Sequence, residues 1–489
     1  MVDHLQKKPH SILVSYPLQG HVIPSVQLAI KLASSGFTIT FINTQSIHHQ
    51  ITSKNQQSGH QEEDIFAEAR RASPGLDIRY ITVSDGLPVD FDRSLNHDQF
   101  MASLLHVFSA HVEEVLLKII LENKPNVSCL IADTFFVWPG HLAKKYGLLY
   151  ISFWTEPALV FTLYYHMDLL RSNGHFGFID AREDSIDYIP GVPRIEAKDL
   201  MSYLQTPDVS VTHQIIFKAF RDAKNADMVL CNTVEELEPQ VISSIQKRVP
   251  FYAIGPLFPT SDFTSNNNVA MSLWAESDCS RWLDYQERGS VLYVSFGSYA
   301  HVRKIDLLKI ANGLALSNVK FVWVMRPDIV DSDDADPLPD EFKKGTQDRG
   351  IIIPWCNQKQ VISHPAIGGF LTHCGWNSIL ESIWCELPML CFPLLTDQFT
   401  NRKLVVDDWK IGVDLCVVKN LVTPNEVAKN VKYLMTEESS RELRNAVKEI
   451  KNILDKAIQN GGSSWCNTTK YIKDLRLILE NKNKRNLNV

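Results

Sequence analysis

The sequence predicts an α/β protein of two doubly wound, Rossmann-like domains facing each other across a cleft. Three observations lead there. The chain has 489 residues, too many for one small module when domains run to roughly 100–200 residues. Short apolar runs of strand character alternate with stretches of helical periodicity. That alternation stops near residue 260 and then restarts. With 45% hydrophobic and 21% charged residues the chain can bury a sizeable core, which excludes a disordered or fibrous protein. A net charge of −7 leaves no basic field for nucleic acid or an anionic membrane surface.

The elements follow in order. Residues 11–16 form an apolar strand that stops at Pro17-Leu18-Gln19-Gly20-His21 and leads into a helical pattern over residues 22–32. TITFIN, residues 38–43, is the next strand and completes a βαβ unit. DIRYITV near Asp77, CLIADTF from Cys129 and LYISFW from Leu149 are further strands, and residues 99–121 read as one long amphipathic helix. Residues 251–268 are rich in Pro, Ser and Asn without periodicity and read as a linker, with a domain boundary near 260. Beyond it come the strand VLYVSFGS over residues 291–298, a helix over 304–315 and the strand KFVWVMR over 320–326. IIIP, GGFLTH and PMLCFP then alternate with helices beginning near Gln358, Asn377 and Gln398. In doubly wound domains ligands bind at the carboxyl ends of the strands.

No signal-peptide core or membrane span is visible, and nine cysteines without a CxxC pair suit a reducing compartment. A cytoplasmic location is therefore expected, with the sequons at Asn126 and Asn467 as chance matches. Several features that could hold a metal read otherwise. The acidic run 331–336 reads as a solvated loop. His48 and His49 diverge by about 100° on a helix, and His364, His373 and Cys374 match no closed ligand spacing. No metal site is expected. No oligomeric state follows from the sequence.

One end of the cleft should hold an anion. Strand GGFLT passes through His373-Cys374-Gly375 into a helix opened by Asn377 and Ser378, and a helix N-terminus offers unpaired N–H groups and a partial positive charge. Direct hydrogen bonds to a charged oxygen, about 1.5–3 kcal/mol each, should outweigh the dipole at about 0.3–1. On local sequence alone, Asn377 and Ser378 read more readily as an ordinary helix cap. Neither a Walker nor a nicotinamide fingerprint is present.

Residues 355–398, WCNQKQVISHPAIGGFLTHCGWNSILESIWCELPMLCFPLLTDQ, resemble the plant secondary-product box of the UDP-glycosyltransferases. PLQGHVIP near the start, SFGS after the linker and the late GGSS fit as well, so the resemblance spans essentially the whole chain. PLQGHVIP followed by NTQSIHH is most similar to the branch numbered 86. The resemblance implies a GT-B architecture: an acceptor-binding domain over 1–255, a linker over 256–275, a UDP-sugar-binding domain over 276–460, and a last helix, 461–489, packing back on the first domain. It implies that Trp355 stacks on uracil, that the Cys356 backbone pairs with its edge, and that Gln358 and Glu381 reach the ribose hydroxyls. It assigns Gly20, Ser298, His373, Gly375, Asn377 and Ser378 to the donor site, mainly around the diphosphate, and Trp376, Asp397 and Gln398 to the sugar. Gln398, where the family carries His for galactose, points to UDP-glucose. Two positions depart from the usual pattern. Cys356 replaces a common Ala, and Glu386 ends a run that often ends in Gly.

At the other end, His21 follows Gly20 at the end of the first strand, and Asp133 ends another strand. An acceptor hydroxyl needs a base, an imidazole titrates near working pH, and a carboxylate can hold its tautomer. By local sequence alone His21 reads more readily as a capping or core group; the match of PLQGH to the family's opening makes it the catalytic base and Asp133 its partner. The expected reaction is direct displacement giving a β-glucoside of a small lipophilic alcohol, phenol or acid. UDP-glucose is the co-substrate, and no cofactor or metal is needed. Alternatives are the same machine with another UDP-sugar, or a silent nucleotide-sugar-binding protein. Acceptor contacts are expected from loops after Ser84 and between Asp168 and Leu204. Phe153, Trp154 and Phe161 could line an apolar acceptor pocket or pack in the core.

Overall fold

The computed structural model describes residues 8–57, 64–122, 127–177, 184–207, 209–258, 273–330, 337–415 and 422–487. The first half contains β1 (His10–Val14), β2 (Thr38–Thr44), β3 (Ile78–Val83), β4 (Val127–Asp133) and β5 (Leu149–Trp154). A small antiparallel pair, β6 (Ser185–Ile186) and β7 (Ile195–Glu196), precedes β8 (Met228–Cys231) and β9 (Phe251–Ala253). Apart from that pair these strands form one parallel sheet in the order β3-β2-β1-β4-β5-β8-β9. The second half is a six-stranded parallel sheet, β12 (Gly350–Ile353), β11 (Lys320–Val324), β10 (Val291–Ser295), β13 (Ile367–Thr372), β14 (Met389–Cys391) and β15 (Gly412–Asp414), in that order. Strands β1, β2, β5 and β10 are buried along their whole length, as expected of parallel strands covered by helices on both faces. This is the two-domain α/β architecture read from the alternation.

Two sequence readings are corrected. Residues 99–121 are not one helix but His97–His106 and Phe108–Glu122, broken at Val107. The turn after β3 packs into that break: a Cβ on Gly86 would lie 2.8 Å from Val107 Cγ1, and Ser103 Oγ bonds the Asp85 carbonyl. The stretch assigned to the linker begins too early, because Phe251–Ala253 is the edge strand β9. Residues 259–272, which hold most of the expected linker, lie outside the described residues, as do the acidic run 331–336 and Asn126.

The last helix, Ser463–Leu487, returns to the first sheet. Tyr471 packs on Tyr252, whose hydroxyl donates to Asp474 at 2.8 Å. The Asn467 amide donates to the Ala253 carbonyl and to Glu235, so its sequon is used for packing. The largest apolar cluster draws residues from both sheets. Polar contacts stitch the halves around the cleft: Asp199 pairs with Arg402, the Ser202 hydroxyl accepts from the Thr396 amide at 2.8 Å, and Ser94 donates to Asp328 at 2.9 Å.

Candidate active site

Between the carboxyl ends of the two sheets lies a cavity of about 270 Å³. Its walls hold Gly20 and His21 from the first half, and from the second Ser298, Trp355, Cys356, Gln358, His373, Gly375, Trp376, Asn377, Ser378, Glu381, Asp397 and Gln398. Asp133 stands directly behind His21 rather than on the wall.

On the first-half side, β1 ends at Val14 and the helix Gln19–Ser34 starts within a few residues, placing His21 in its first turn. His21 Nδ1 lies 2.7 Å from Asp133 Oδ2 and 3.0 Å from Thr155 Oγ1. Asp133 is 1% exposed and His21 12%. The Phe135 amide donates to the other Asp133 oxygen at 2.9 Å, which orients the carboxylate. A carboxylate only accepts, so this network assigns the proton to Nδ1 and leaves Nε2 to the cavity. The ring is flanked by Tyr16 and Phe135.

On the second-half side the helix Trp376–Trp384 begins at Gly375, an N-cap with no side chain to offer. The first intrahelical bond of that end runs from the Ile379 amide to the Gly375 carbonyl. Asn377 and Ser378 are therefore not caps. The Asn377 amide reaches across the cleft to the Gly20 carbonyl at 2.8 Å, and Ser378 Oγ accepts from Gln358 at 3.1 Å. The backbone N–H groups of Trp376, Asn377 and Ser378, which precede that first bond, are oriented for an anion.

His373 sits between two glycines. A Cβ on Gly297, whose φ is +76°, would lie 2.4 Å from His373 Nε2, and one on Gly375 would lie 2.5 Å away. Burial, reinforced by the Arg326 guanidinium, pulls the imidazole pKa down to about 4. His373 is thus a neutral hydrogen-bonding group near pH 7, and its Nδ1 is buried without a partner among the described residues.

Further along, Gln358 donates to Glu381 at 2.7 Å and accepts from Tyr293. Burial raises the Glu381 pKa. The Cys356 thiol lies 3.5 Å from the Tyr293 hydroxyl, its pKa pushed up to about 12 by burial, so only its backbone is available to a ligand. Trp355 packs against Trp274, and its carbonyl accepts from the Ser277 amide. The Trp376 indole N–H is committed to the Asn232 carbonyl at 2.7 Å, leaving its backbone N–H for a ligand. Asp397 stands at the N-cap position of the helix Gln398–Lys403, but its side chain makes no capping bond and accepts instead from Thr396 and Asn401. Gln398 Oε1 accepts from the Leu394 and Leu395 amides, which turns its Nε2 into the free end.

The aromatics suspected after β5 belong to the core: Phe153, Trp154 and Phe161 are buried and absent from the wall, because the Trp154 indole bonds the Pro157 carbonyl and Phe161 packs on Phe251. Phe135, Met101, Tyr164, Ile215 and Ile216 form the apolar wall instead. Sequence reasoning also missed Thr155, Glu156, His97 and Tyr299. Of the loops expected to meet the acceptor, the segment 168–204 contributes Tyr203. The available signal was position: Thr155 and Glu156 directly follow the end of β5, as Asp133 ends β4. The other metal suspects stay apart. His48 packs on Tyr80, His49 is exposed, and His364 pairs with Asp284. Among the described residues no cluster of three or more ligating side chains forms.

The family described as UDP-glucoronosyl and UDP-glucosyl transferase matches residues 216–453. UDP-glycosyltransferase 86A1 of Arabidopsis thaliana is 58% identical over 97% of this chain and 96% of its own. A Medicago truncatula protein, UGT71G1, solved with UDP-glucose, aligns with a TM-score of 0.79 at 24% identity, covering 96% of this chain and 99% of that one. Phytolacca americana UGT2, solved with UDP-2-fluoro-glucose and pterostilbene, aligns with a TM-score of 0.74 at 24% identity over 96% and 100%.

Proposed function

This chain belongs to the plant UDP-glycosyltransferases of branch 86 and transfers a glycosyl group from a UDP-sugar, and we propose that the sugar is glucose, delivered with inversion to an oxygen of a small lipophilic acceptor. The observation that supports this reading most is the 2.7 Å His21–Asp133 pair opening onto the cavity that holds the donor box.

The geometry suits direct displacement. Nε2 of His21 takes the acceptor proton while Asp133, bonded at Nδ1, stabilises the imidazolium that forms. The acceptor oxygen attacks the anomeric carbon as the bond to the β-phosphate oxygen breaks, so an α-linked donor gives a β-glucoside. UDP leaves with its charge into the N–H groups of Trp376, Asn377 and Ser378, with Ser298 and the neutral His373 beside them. Such donors, preorganised where charge develops, need no metal. Trp355 stacks on the uracil with the Cys356 backbone at its edge, and Gln358 and Glu381 take the ribose hydroxyls. Asp397 accepts from the glucose hydroxyls and Gln398 donates through Nε2.

Among the described residues no helix is long and apolar enough to cross a membrane. The eight described cysteines are free thiols, which favours a cytoplasmic location. The test is an acceptor screen with mass detection of products, run with UDP-glucose, UDP-galactose, UDP-xylose and UDP-glucuronate in competition. A clear preference for UDP-glucose, β-linked products and indifference to a chelator are expected. Preference for another donor overturns the glucose assignment, and loss of activity on chelation overturns the metal-free one.

A further inference from the structure

Among the described lining residues Glu156 is the one carboxylate on the acceptor side of the cavity that the reaction above does not use. It follows Thr155, whose hydroxyl touches His21 Nδ1, at the carboxyl end of β5. Its backbone is held firmly: the Cys231 thiol donates to its carbonyl at 3.3 Å, the Trp154 indole bonds the Pro157 carbonyl, and Glu238 accepts from the Ala158 and Leu159 amides. Its side chain is not: Glu156 lines the cavity, and Oε2 is buried with no partner among the described residues. A buried, unpartnered carboxyl oxygen costs about 1–3 kcal/mol, and here the position that bears it adjoins the catalytic histidine.

The charges around it narrow what it can meet. Asp133 and Asp397 are close enough to drive the Glu156 pKa well up, together with burial as the leading cause. Tyr164, beside it, is a neutral phenol. Lys359 is the only Lys or Arg among the described lining residues, and it belongs to the opposite wall, next to Glu381. Among the described residues the acceptor end thus presents carboxyl groups, hydroxyls, the His21 and His97 imidazoles and apolar walls, with no Lys or Arg to receive an anion.

We infer that Glu156 is the acceptor-specificity residue of this enzyme, exchanging hydrogen bonds with a second hydroxyl on an uncharged acceptor, and that acceptors bearing a carboxylate are excluded by the acids around it. A carboxylic acid both donates and accepts, which matches a hydroxyl; a ligand carboxylate would come up against Glu156 and Asp397, with Asp133 behind His21, and find no Lys or Arg beside them among the described lining residues. The inference rests on the glucosyl-transfer reading and narrows its acceptor from alcohol, phenol or acid to a neutral diol.

The test uses the full chain and matched triads of aryl and terpenoid alcohols: one hydroxyl, the same skeleton with a second hydroxyl, and the same skeleton with a carboxylate in that place. Wild type should favour the diol over the mono-ol by about tenfold in kcat/KM, the worth of one hydrogen bond, and should use the carboxylate at least about tenfold less well than the mono-ol. Glu156→Gln, which keeps a donor and an acceptor, should hold the diol preference within about threefold, whereas Glu156→Leu should bring the ratio to about one. Calorimetric UDP affinity checks that each variant is folded. A Leu variant that keeps the diol preference overturns the inference, and so does a wild type that ranks carboxylates first, a result that needs no variant. Wild type that transfers glucose to no member of any triad instead overturns the underlying reading.

Discussion

Over six strands the two halves share one order, and the β1–β4 and β10–β13 pairs share a register, yet the halves do different chemistry at equivalent points. In the first half Val14 on β1 pairs with Ala132 on β4, and the next residue is Asp133. In the second, Ser295 on β10 pairs with Thr372 on β13, and the next residue is His373. Both points are where a doubly wound sheet reverses its winding and opens a crevice. In the first half the side chains act: Asp133 meets His21, carried by the turn after β1. In the second, the turn after β10 carries Gly297, and His373 packs into the space its missing Cβ leaves. The backbone does the binding there, through N–H groups at a helix start.

The conformational record agrees. Among the described residues every non-glycine in the left-handed region lies in the second half: Asn318, Cys374, Glu386, Thr396 and Lys410. Cys374 and Thr396 flank ligand-facing positions, where strained backbone is tolerated because it aims amides and side chains. One topology therefore yields a base or an anion cradle according to whether its crevice turns carry a side chain or a glycine.

The sharpest way to break this contrast is His21→Ala. It should lower kcat by about 10²–10⁴ while the Kd for UDP, measured by calorimetry, stays within twofold, because nothing in the donor wall depends on the imidazole. A parallel loss of UDP affinity would mean that the halves are not chemically separate.

Next in size is acid sensitivity. His10 on β1 bonds Thr40 at 2.8 Å, and burial, with Arg79 nearby, holds its pKa at about 4. Folding favours the neutral ring, so as pH drops below its ordinary value the unfolded chain takes up the proton first. Stability is complete above about pH 6.5 and falls between 6.5 and 4, by up to about 3 kcal/mol from this group. His373 adds a loss of the same sign in the second half. His10→Gln should flatten the acid limb of a denaturation-against-pH series without changing the KM for UDP-glucose, marking the first half's buried imidazole as structural. An unchanged acid limb would remove His10 from the account.

Gly297→Ala should raise the KM for UDP-glucose roughly 10–100-fold, since a left-handed Ala costs about 1–2 kcal/mol and its methyl would displace His373. A small effect would show that the cradle adjusts and that glycine there is incidental.

Much of this cleft was legible in the sequence, for a physical reason. The donor site is built from one contiguous stretch, residues 355–398, so its spacing carries the geometry, and the strand-turn-helix at 367–384 announces itself through apolar periodicity followed by Gly375. The acceptor wall is assembled from β1, β4, β5, the helix at Val211–Ala223 and residues such as His97 and Tyr299 that meet only on folding; their hydrogen bond joins positions 202 residues apart. No local pattern records such a meeting. The break at Val107 was invisible for the same reason: no Pro or Gly marks it, and the cause is a turn some twenty residues upstream. What could have been read is the rule of strand ends, under which the polar pair Thr155-Glu156 after β5 deserved the same scrutiny as Asp133.

The smallest effect concerns Glu386, which ends a run that in the family often ends in Gly. The helix Trp376–Trp384 closes there with Glu386 at φ 57°, its amide bonded to the Ile383 carbonyl and the Leu387 amide to the Ser382 carbonyl. That is the left-handed helix end that Gly adopts without steric cost. Glu386→Gly relieves about 1–2 kcal/mol of crowding but returns about 0.5–1 in unfolded-chain entropy, so a net gain of up to about 1 kcal/mol is expected in the denaturant midpoint. Because the turn lies at the far end of the helix from Gly375, the KM for UDP-glucose should stay put. If KM moved with stability, the backbone of the second half would be coupled from one end of that helix to the other, and its cradle could no longer be treated as a local property of the turn that begins it.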